Sequence, residues 1–177
     1  MPHSDATNKP WTIDRIVERQ PKTVLDAGAG SGIYVRLLRN RLPNTRFTAV
    51  EVWEPYIEEW ELRKIYDEVV IEDIRQREDF DYDVVIFGDV LEHMSRDDAL
   101  VLWNKTLSQA RYAVISIPII HYEQGAIENN PYEIHVEEDW TTETVLEAFP
   151  GIVEYKEFPI TGVFIASAEK YLQDTAK

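Results

Sequence analysis

The sequence predicts an α/β fold: a doubly wound sheet, mostly parallel with a C-terminal antiparallel strand, and helices on both faces. Three observations carry this expectation. Short apolar strands alternate with amphipathic stretches along the chain, a pattern that lays helices over both faces of a parallel sheet. Val84-Val85-Ile86-Phe87 is apolar without alternation, as a strand covered on both sides must be. The last two strand segments follow each other closely enough to pair antiparallel at one edge.

Each element has its own signal. Ile13, Ile16 and Val17 share one face of a helix over 11–20, stopped before Pro21. Thr23-Val24-Leu25 is a compact strand ending at Asp26. Past the glycines at 28–32, Val35, Leu38 and Leu42 line one side of a helix over 33–42. Arg46 to Val50 is the second strand. Pro55 to Tyr66 reads as a helix carrying Ile57, Trp60 and Ile65, with Glu59 and Arg63 spaced for an i,i+4 pair. Val69–Ile71 and Val84–Phe87 are the third and fourth strands. Ser95 followed by Asp98 starts a helix with Leu100, Trp103 and Leu107 on one face. Tyr112 to Ile117 is the fifth strand, followed by a loop over 118–140. A helix over Thr142–Phe149 is stopped by Pro150-Gly151, and Val153–Phe158 and Val163–Ala168 close the chain.

Composition limits what such a fold can do. The 177 residues make one domain's worth of chain, so residues 1–177 are expected to form a single domain. Lys+Arg is 18 against Asp+Glu 33, a net charge of -15, which suits neither nucleic acid nor any other phosphate backbone. With no cysteine, disulfides, thiolate nucleophiles and Cys-built zinc sites are excluded. The polar start Met1 to Asp5 is not a secretory signal, and His3 within it is given no role. The longest apolar run, Ala113 to Ile120, is broken by Ser116 and Pro118 and is too short to span a bilayer. A cytoplasmic setting is the expectation.

The chemistry begins at Val24-Leu25-Asp26-Ala27-Gly28-Ala29-Gly30-Ser31-Gly32, which runs from the first strand into the next helix. Glycines let a backbone approach a ligand closely, and a helix start offers free N–H donors. The spacing is G-x-G-x-G rather than the G-x-G-x-x-G of dinucleotide sites, and no Gly-Lys-Ser/Thr follows as in a P-loop. Asp26 would repel a pyrophosphate but suits a ligand bearing an ammonium and a sulfonium, as S-adenosylmethionine (SAM) does. That spacing and Asp26 also argue against a nicotinamide-dependent oxidoreductase.

From these residues onward the chain resembles the class I SAM-dependent methyltransferases with a Rossmann-like sheet, in their small-molecule branch. The resemblance implies that Asp26, Gly28, Gly30 and Gly32 surround the methionine part of SAM. It assigns Glu51, at the end of the second strand, to the ribose hydroxyls, and two acceptor oxygens suit a vicinal diol. It puts Asp73 near the adenine amine, with the backbone at Ile74 facing the ring. Asp83 to His93 is similar to the family's fourth-strand motif, which brings Asp89 to the cofactor. The residues alone also admit plainer readings: a tight turn at 28–32, a surface carboxylate at Glu51, a helix cap at Asp73, and a solvent-facing Asp89.

The loop 118–140 is long enough to be functional, and in related methyltransferases this stretch covers the acceptor. It carries His121, His135, Tyr122, Tyr132 and Trp140, the last expected to pack rather than stack. Glu123, Glu128, Glu133, Glu137, Glu138 and Asp139 are expected to face or flank the pocket, which favours a neutral or cationic small molecule. Asn130-Pro131-Tyr132 is similar to part of the adenine amino-methyltransferase signature. It lacks the second proline and follows the fifth strand, so it is set aside. His135, then His93, are the first choices for a general base. Asp89, Glu92, His93 and His135 could supply oxygen and imidazole ligands to magnesium, manganese or zinc. Asp89-x-x-Glu92-His93 resembles metal-dependent small-RNA 2′-O-methyltransferases and ubiquinone-pathway O-methyltransferases, with Asp89 in place of Glu. Leu-Glu-His also recurs in metal-free relatives as a packed turn. The expectation is therefore no metal, with a hydrogen-bonded His93 shaping the pocket. The function expected is methyl transfer from SAM to an O or N atom of a small molecule. The alternative is a non-catalytic SAM- or nucleoside-binding protein, or a partner subunit of the same fold.

Overall fold

The computed structural model describes residues 6–176, so the polar start and His3 lie outside the described residues. Seven strands form one sheet: β1 (Thr23–Ala27), β2 (Arg46–Glu51), β3 (Glu68–Ile71), β4 (Val84–Gly88), β5 (Tyr112–Pro118), β6 (Ile152–Glu157) and β7 (Thr161–Ser167). Their order is β3-β2-β1-β4-β5-β7-β6, and only β7 runs against its neighbours β5 and β6. The chain therefore steps outward from β1 to β3, then returns to the other side of β1 at β4. That reversal is the topological switch point where α/β sheets bind ligands, at the carboxyl ends of the strands.

Alternation along the central strands feeds two cores. Leu25, Val85, Phe87 and Ile115 face α5 (Arg96–Leu107) and α6 (Thr142–Ala148), where Trp103, Leu107 and Val145 are buried. Val24, Val84, Ile86 and Val114 face α1 (Lys9–Glu18) and α2 (Ile33–Leu38), through Ile13, Ile16, Val35 and Leu38. The Trp103 indole N–H donates to the Pro150 carbonyl at 2.9 Å, so its polar edge is satisfied within the core. Ser95 caps α5 by accepting from the Asp98 amide, and Thr141 and Thr144 form a reciprocal capping box on α6.

Several elements differ from expectation, and the helix expected over 33–42 already ends at Leu38. The first helix begins at Lys9, not Trp11, because Pro10 sits comfortably in a first turn where its missing N–H costs nothing. The helix expected over 55–66 is two pieces, α3 (Glu54–Glu59) and α4 (Leu62–Ile65), separated by Glu61 at φ 53°. The break removes Glu59 and Arg63 from i,i+4 register, and the ion pair across it is Glu61 with Lys64. A further helix, α7 (Ala168–Thr175), follows β7, capped by the Ser167 hydroxyl accepting from the Lys170 amide. Strand periodicity alone hides it, since none of its residues is fully buried and only Tyr171 packs against the core.

The turn after β1 depends on left-handed backbone. Gly28 has φ 69°, and a β-carbon there would lie 2.7 Å from Val90 Cγ2. Gly32 has φ 71° and would meet Ile65 Cδ1 at 2.7 Å. A Gly28→Ala variant is expected to lose about 1–3 kcal/mol from backbone strain alone, with more from the Val90 contact. Urea unfolding of the two proteins side by side measures it, and unchanged stability would contradict the geometry.

Candidate active site

A cavity of about 490 Å³ opens at the switch point, lined by residues following β1 to β5 and by the loop 118–140. Such a volume fits a cofactor-sized ligand. On its cofactor side the glycine turn is held by three peptide contacts. The amides of Gly28 and Ala29 both donate to the Val50 carbonyl, at 2.9 and 3.1 Å, and Gly32 donates to Ala29 at 2.8 Å. Glu51, 5% exposed, ties this turn to the end of β2. Its Oε2 accepts from the Gly30 amide and its Oε1 from the Trp53 amide, each at 2.8 Å. Burial raises the Glu51 pKa, and the two amides moderate the rise.

Of the expected cofactor residues, Gly28, Gly30, Glu51, Asp73, Ile74 and Asp89 line the cavity. Asp26 and Gly32 stand behind its wall rather than in it. Asp26 is 2% exposed and accepts a hydrogen bond from the Tyr66 hydroxyl. Loss of water raises its pKa to about 7, against the opposing pull of that hydroxyl and of the Lys9 ammonium. Asp73 lines the cavity and fills the capping role. It caps the turn at Ile74–Gln76 by accepting from the Arg75 amide at 3.0 Å, and it pairs with the Arg75 guanidinium, which lowers its pKa. Asp89 takes a left-handed φ of 56°, and its carboxylate accepts from the Ser116 hydroxyl at 3.0 Å.

Sequence reasoning missed Lys9 and Asn8 at the start of the N-terminal helix. Lys9 is only 4% exposed, and its ammonium donates to Asn8 Oδ1 at 3.0 Å and to the Tyr34 hydroxyl at 3.1 Å. Asn8 in turn donates to Ser116 at 3.1 Å and to Thr161 at 2.9 Å, joining α1 to β5 and β7 beside the cavity. No spacing rule distinguishes this lysine from a solvated one; the only available signal is its place next to Pro10, at a helix start.

The opposite side of the cavity, where the acceptor is expected, is built by the loop and the turn at Leu91–His93. The amides of Val136 and Glu137 both donate to the Glu92 carbonyl, at 2.8 and 3.1 Å, which draws His135 beside His93. The two rings have centroids 5.0 Å apart. His93 Nδ1 lies 3.1 Å from the Ile134 carbonyl and His135 Nδ1 lies 2.7 Å from the Tyr122 carbonyl. A carbonyl only accepts, so each Nδ1 carries a proton, and in the neutral tautomer the lone pair lies on Nε2. Burial pushes the His93 pKa down, favouring that neutral form. The Glu92 carboxyl is fully buried, with its pKa raised well above the usual range by lost hydration and by Asp89. Among the described residues neither of its oxygens has a hydrogen-bond partner, apart from proximity to its own backbone amide.

Other loop residues are placed differently from expectation. Glu133 lines the cavity and accepts from the Tyr56 hydroxyl at 3.0 Å, but Glu123, Glu128, Glu137, Glu138 and Asp139 do not line it. They turn to solvent and to local partners instead: Glu137 pairs with Arg96 at 3.2 Å and Asp139 with His121 at 2.7 Å. His121 is thus a surface group outside the cavity, its pKa raised by Asp139 and Glu123. Trp140 is 1% exposed and packs between Phe149 and the Arg96 guanidinium, as a packing residue should.

A glycine turn after β1, a carboxylate at the end of β2 and a pocket at the switch point together define a class I SAM-dependent methyltransferase. The chain belongs to the family described as the methyltransferase domain, whose profile matches residues 25–115, just over half of it. No curated protein matches the sequence. Among solved structures, a candidate O-methyltransferase of Nostoc punctiforme PCC 73102 aligns with a TM-score of 0.68 at 16% identity, over 92% of this chain and 56% of that one. The N-terminal domain of EvdMO1, determined in the presence of S-adenosylhomocysteine (SAH) and D-fucose, gives 0.65 at 14% identity, over 93% and 84%. The 1,6-didemethyltoxoflavin-N1-methyltransferase of Burkholderia thailandensis, bound to 1,6-didemethyltoxoflavin and SAH, gives 0.64 at 19% identity, over 92% and 78%. At these identities the likeness is one of fold, and the chain spans little more than half the Nostoc protein.

The raised pKa of Asp26 has a direct consequence for stability. In the unfolded chain Asp26 ionises near 3.8, and in the folded one near 7. Between those values the folded state holds a proton that the unfolded state has lost, so the Asp26 contribution falls as pH rises through that window. Asp26→Asn keeps an acceptor for Tyr66 but removes the titration. The variant is expected to gain stability over the parent between pH 5 and pH 8, read from urea midpoints at each pH; a pH-independent difference would refute the assignment.

Proposed function

We propose that this methyltransferase moves the methyl group of SAM to an O or N atom of a small, neutral or cationic molecule, in the cytoplasm. The observation that carries the reading is the sign of the cavity wall. Glu51, Glu72, Asp73, Asp89 and Glu133 line it, against one guanidinium, Arg75, that Asp73 already holds. A sulfonium donor with an ammonium tail is favoured there, and a polyanionic acceptor is repelled. No helix among the described residues is long and apolar enough to cross a membrane, in keeping with a dissolved acceptor. The neighbours crystallised with a sugar and with a toxoflavin precursor are consistent with acceptors of this size.

In this reading Gly28 and Gly30 let the backbone approach the methionine part, and Asp26 acts from behind the turn on its positive charge. Glu51 meets the ribose diol, with Asp73 and the backbone at Ile74 beside the adenine. Asp89 stands at the donor's other end. Transfer is a displacement at the methyl carbon: the acceptor's lone pair forms the new bond and the C–S pair returns to sulfur. The pocket's task is to align the two and keep water out. Where the acceptor carries a proton, the Nε2 lone pair of His135, or of His93, can take it.

Two measurements test this. Calorimetry is expected to show SAM and SAH binding, and Glu51→Ala should weaken both at least tenfold, since hydrogen bonds to a charged group contribute about 1.5–3 kcal/mol. Equal affinity would show that ribose recognition lies elsewhere. A screen for acceptor-dependent SAH release should find turnover among neutral or cationic hydroxyl and amine compounds. Turnover confined to phosphorylated or nucleic-acid acceptors would overturn the charge argument.

A further inference from the structure

We propose that Asn8 and Lys9, at the start of α1, are positioning residues for the amino-acid tail of SAM, acting through Ser116 on Asp89. Neither lines the cavity; both are buried behind it, Asn8 completely and Lys9 to 4% exposure. The Lys9 ammonium can only donate, and it gives hydrogen bonds to Asn8 Oδ1 at 3.0 Å and to the Tyr34 hydroxyl at 3.1 Å. The Asn8 amide, its oxygen taken, donates to Ser116 Oγ at 3.1 Å and to Thr161 Oγ1 at 2.9 Å. The Tyr34 hydroxyl is hydrogen-bonded with Ser116 as well. Ser116 has a single proton, which it gives to Asp89 Oδ1 at 3.0 Å. Two branches therefore leave one buried cation, meet at one serine and end on one carboxylate of the cavity wall.

The direction of these bonds is what a positioning role needs. Each donor in the series is polarised by the one before it, back to the ammonium, so the last bond favours the Asp89 carboxylate and fixes one of its oxygens. The backbone there needs holding. Asp89 stands at φ 56°, a conformation that persists only where its surroundings over-determine it. Tyr34 has little play, because its ring lies directly on the Gly88 peptide: a β-carbon on Gly88 would be 2.3 Å from Tyr34 Cε2. The Lys9 charge also reaches Asp26 behind the glycine turn, where it opposes the rise in that carboxyl's pKa. One buried cation thus acts on both carboxylates placed at the methionine end of SAM under the proposed function, on which this role rests. Fastening α1 to the sheet would need only the Asn8 bond to Thr161 on β7; the convergence on Ser116 and Asp89 serves the cavity.

The test is calorimetry of the full chain with SAH and with methylthioadenosine, which keeps the adenosine and the sulfur but lacks the amino-acid tail. Lys9→Met and Ser116→Ala should each weaken SAH about tenfold, the scale of a hydrogen bond to a charged group, and leave methylthioadenosine affinity unchanged. In an Asp89→Asn background, Lys9→Met should cost SAH much less than it does alone, because its effect passes mainly through that carboxylate. Equal loss of both ligands would mark a mere fastening of α1 and overturn the inference. Variants that bind both ligands as the parent does would overturn it too, as would fully additive losses from Lys9→Met and Asp89→Asn. Should Lys9→Met fail to unfold cooperatively in urea, Ser116→Ala, which removes only a hydroxyl, decides. A parent chain that binds neither ligand sinks the methyl-transfer reading together with this inference; a parent that binds both, with an unchanged ratio in the variants, sinks this inference alone.

Discussion

The Glu51 carboxylate closes a short loop of contacts on which the cofactor half of the pocket depends. β2 delivers it to the carboxyl end of the sheet, where one oxygen holds the Gly30 amide and the other the Trp53 amide. Next to it the Val50 carbonyl accepts from both Gly28 and Ala29. Two consecutive residues of one strand thus pin the turn that leaves the neighbouring strand. The turn can take this course only because Gly28, Gly30 and Gly32 adopt positive φ. A side chain shorter than Glu51 would leave buried amides unpaired, and a neutral one would weaken two charge-assisted bonds.

The same logic separates the acidic residues that matter to the pocket from those that do not. Most of the net charge of -15 is carried by solvated carboxylates, where a pair such as Arg46 with Glu68 contributes little. Asp26, Glu51 and Glu92 are different, because each is buried and each has its pKa raised by burial. Asp26 is answered by Tyr66 and the nearby Lys9 charge, Glu51 by two peptide amides, and Glu92 by no other residue. A fold that is only marginally stable does not carry such costs uniformly. They collect around one cavity, whose expected donor is a cation.

How far this could be read in advance depended on whether the signal was local. The strands around the switch point, the Ser95 cap and the buried Val84–Phe87 run are encoded within a few residues of themselves, and their places were legible. So were Gly28, Gly30, Glu51, Asp73 and Asp89 as pocket residues, since each sits at a strand end. The break at Glu61 was not, because nothing in the neighbouring residue types marks a non-glycine residue for positive φ. Nor was the burial of Lys9, which depends on Tyr34 and Asn8 meeting it from other elements. The acidic loop misled in a definite way. Counting its carboxylates suggested a charged cover, yet of the six only Glu133 reaches the cavity.

The position of that loop links the two halves of the pocket. Glu133 is gripped from both sides: Tyr56 on α3 donates to its carboxylate, and Gln124 donates to its carbonyl at 2.7 Å. Two residues further on, His135 is fixed through its own amide to Gln124 and through Nδ1 to Tyr122. The turn carrying Glu92 and His93 is then tied to Val136 and Glu137. The imidazoles of the acceptor side are therefore oriented by backbone carbonyls of a segment that α3, next to Glu51, also holds. Alignment of donor and acceptor is the main demand that methyl transfer makes on a protein. In the proposed reading that alignment is set by a continuous chain of hydrogen bonds from the end of β2 to His135, and any change that loosens Tyr56 from Glu133 acts on both halves of the pocket.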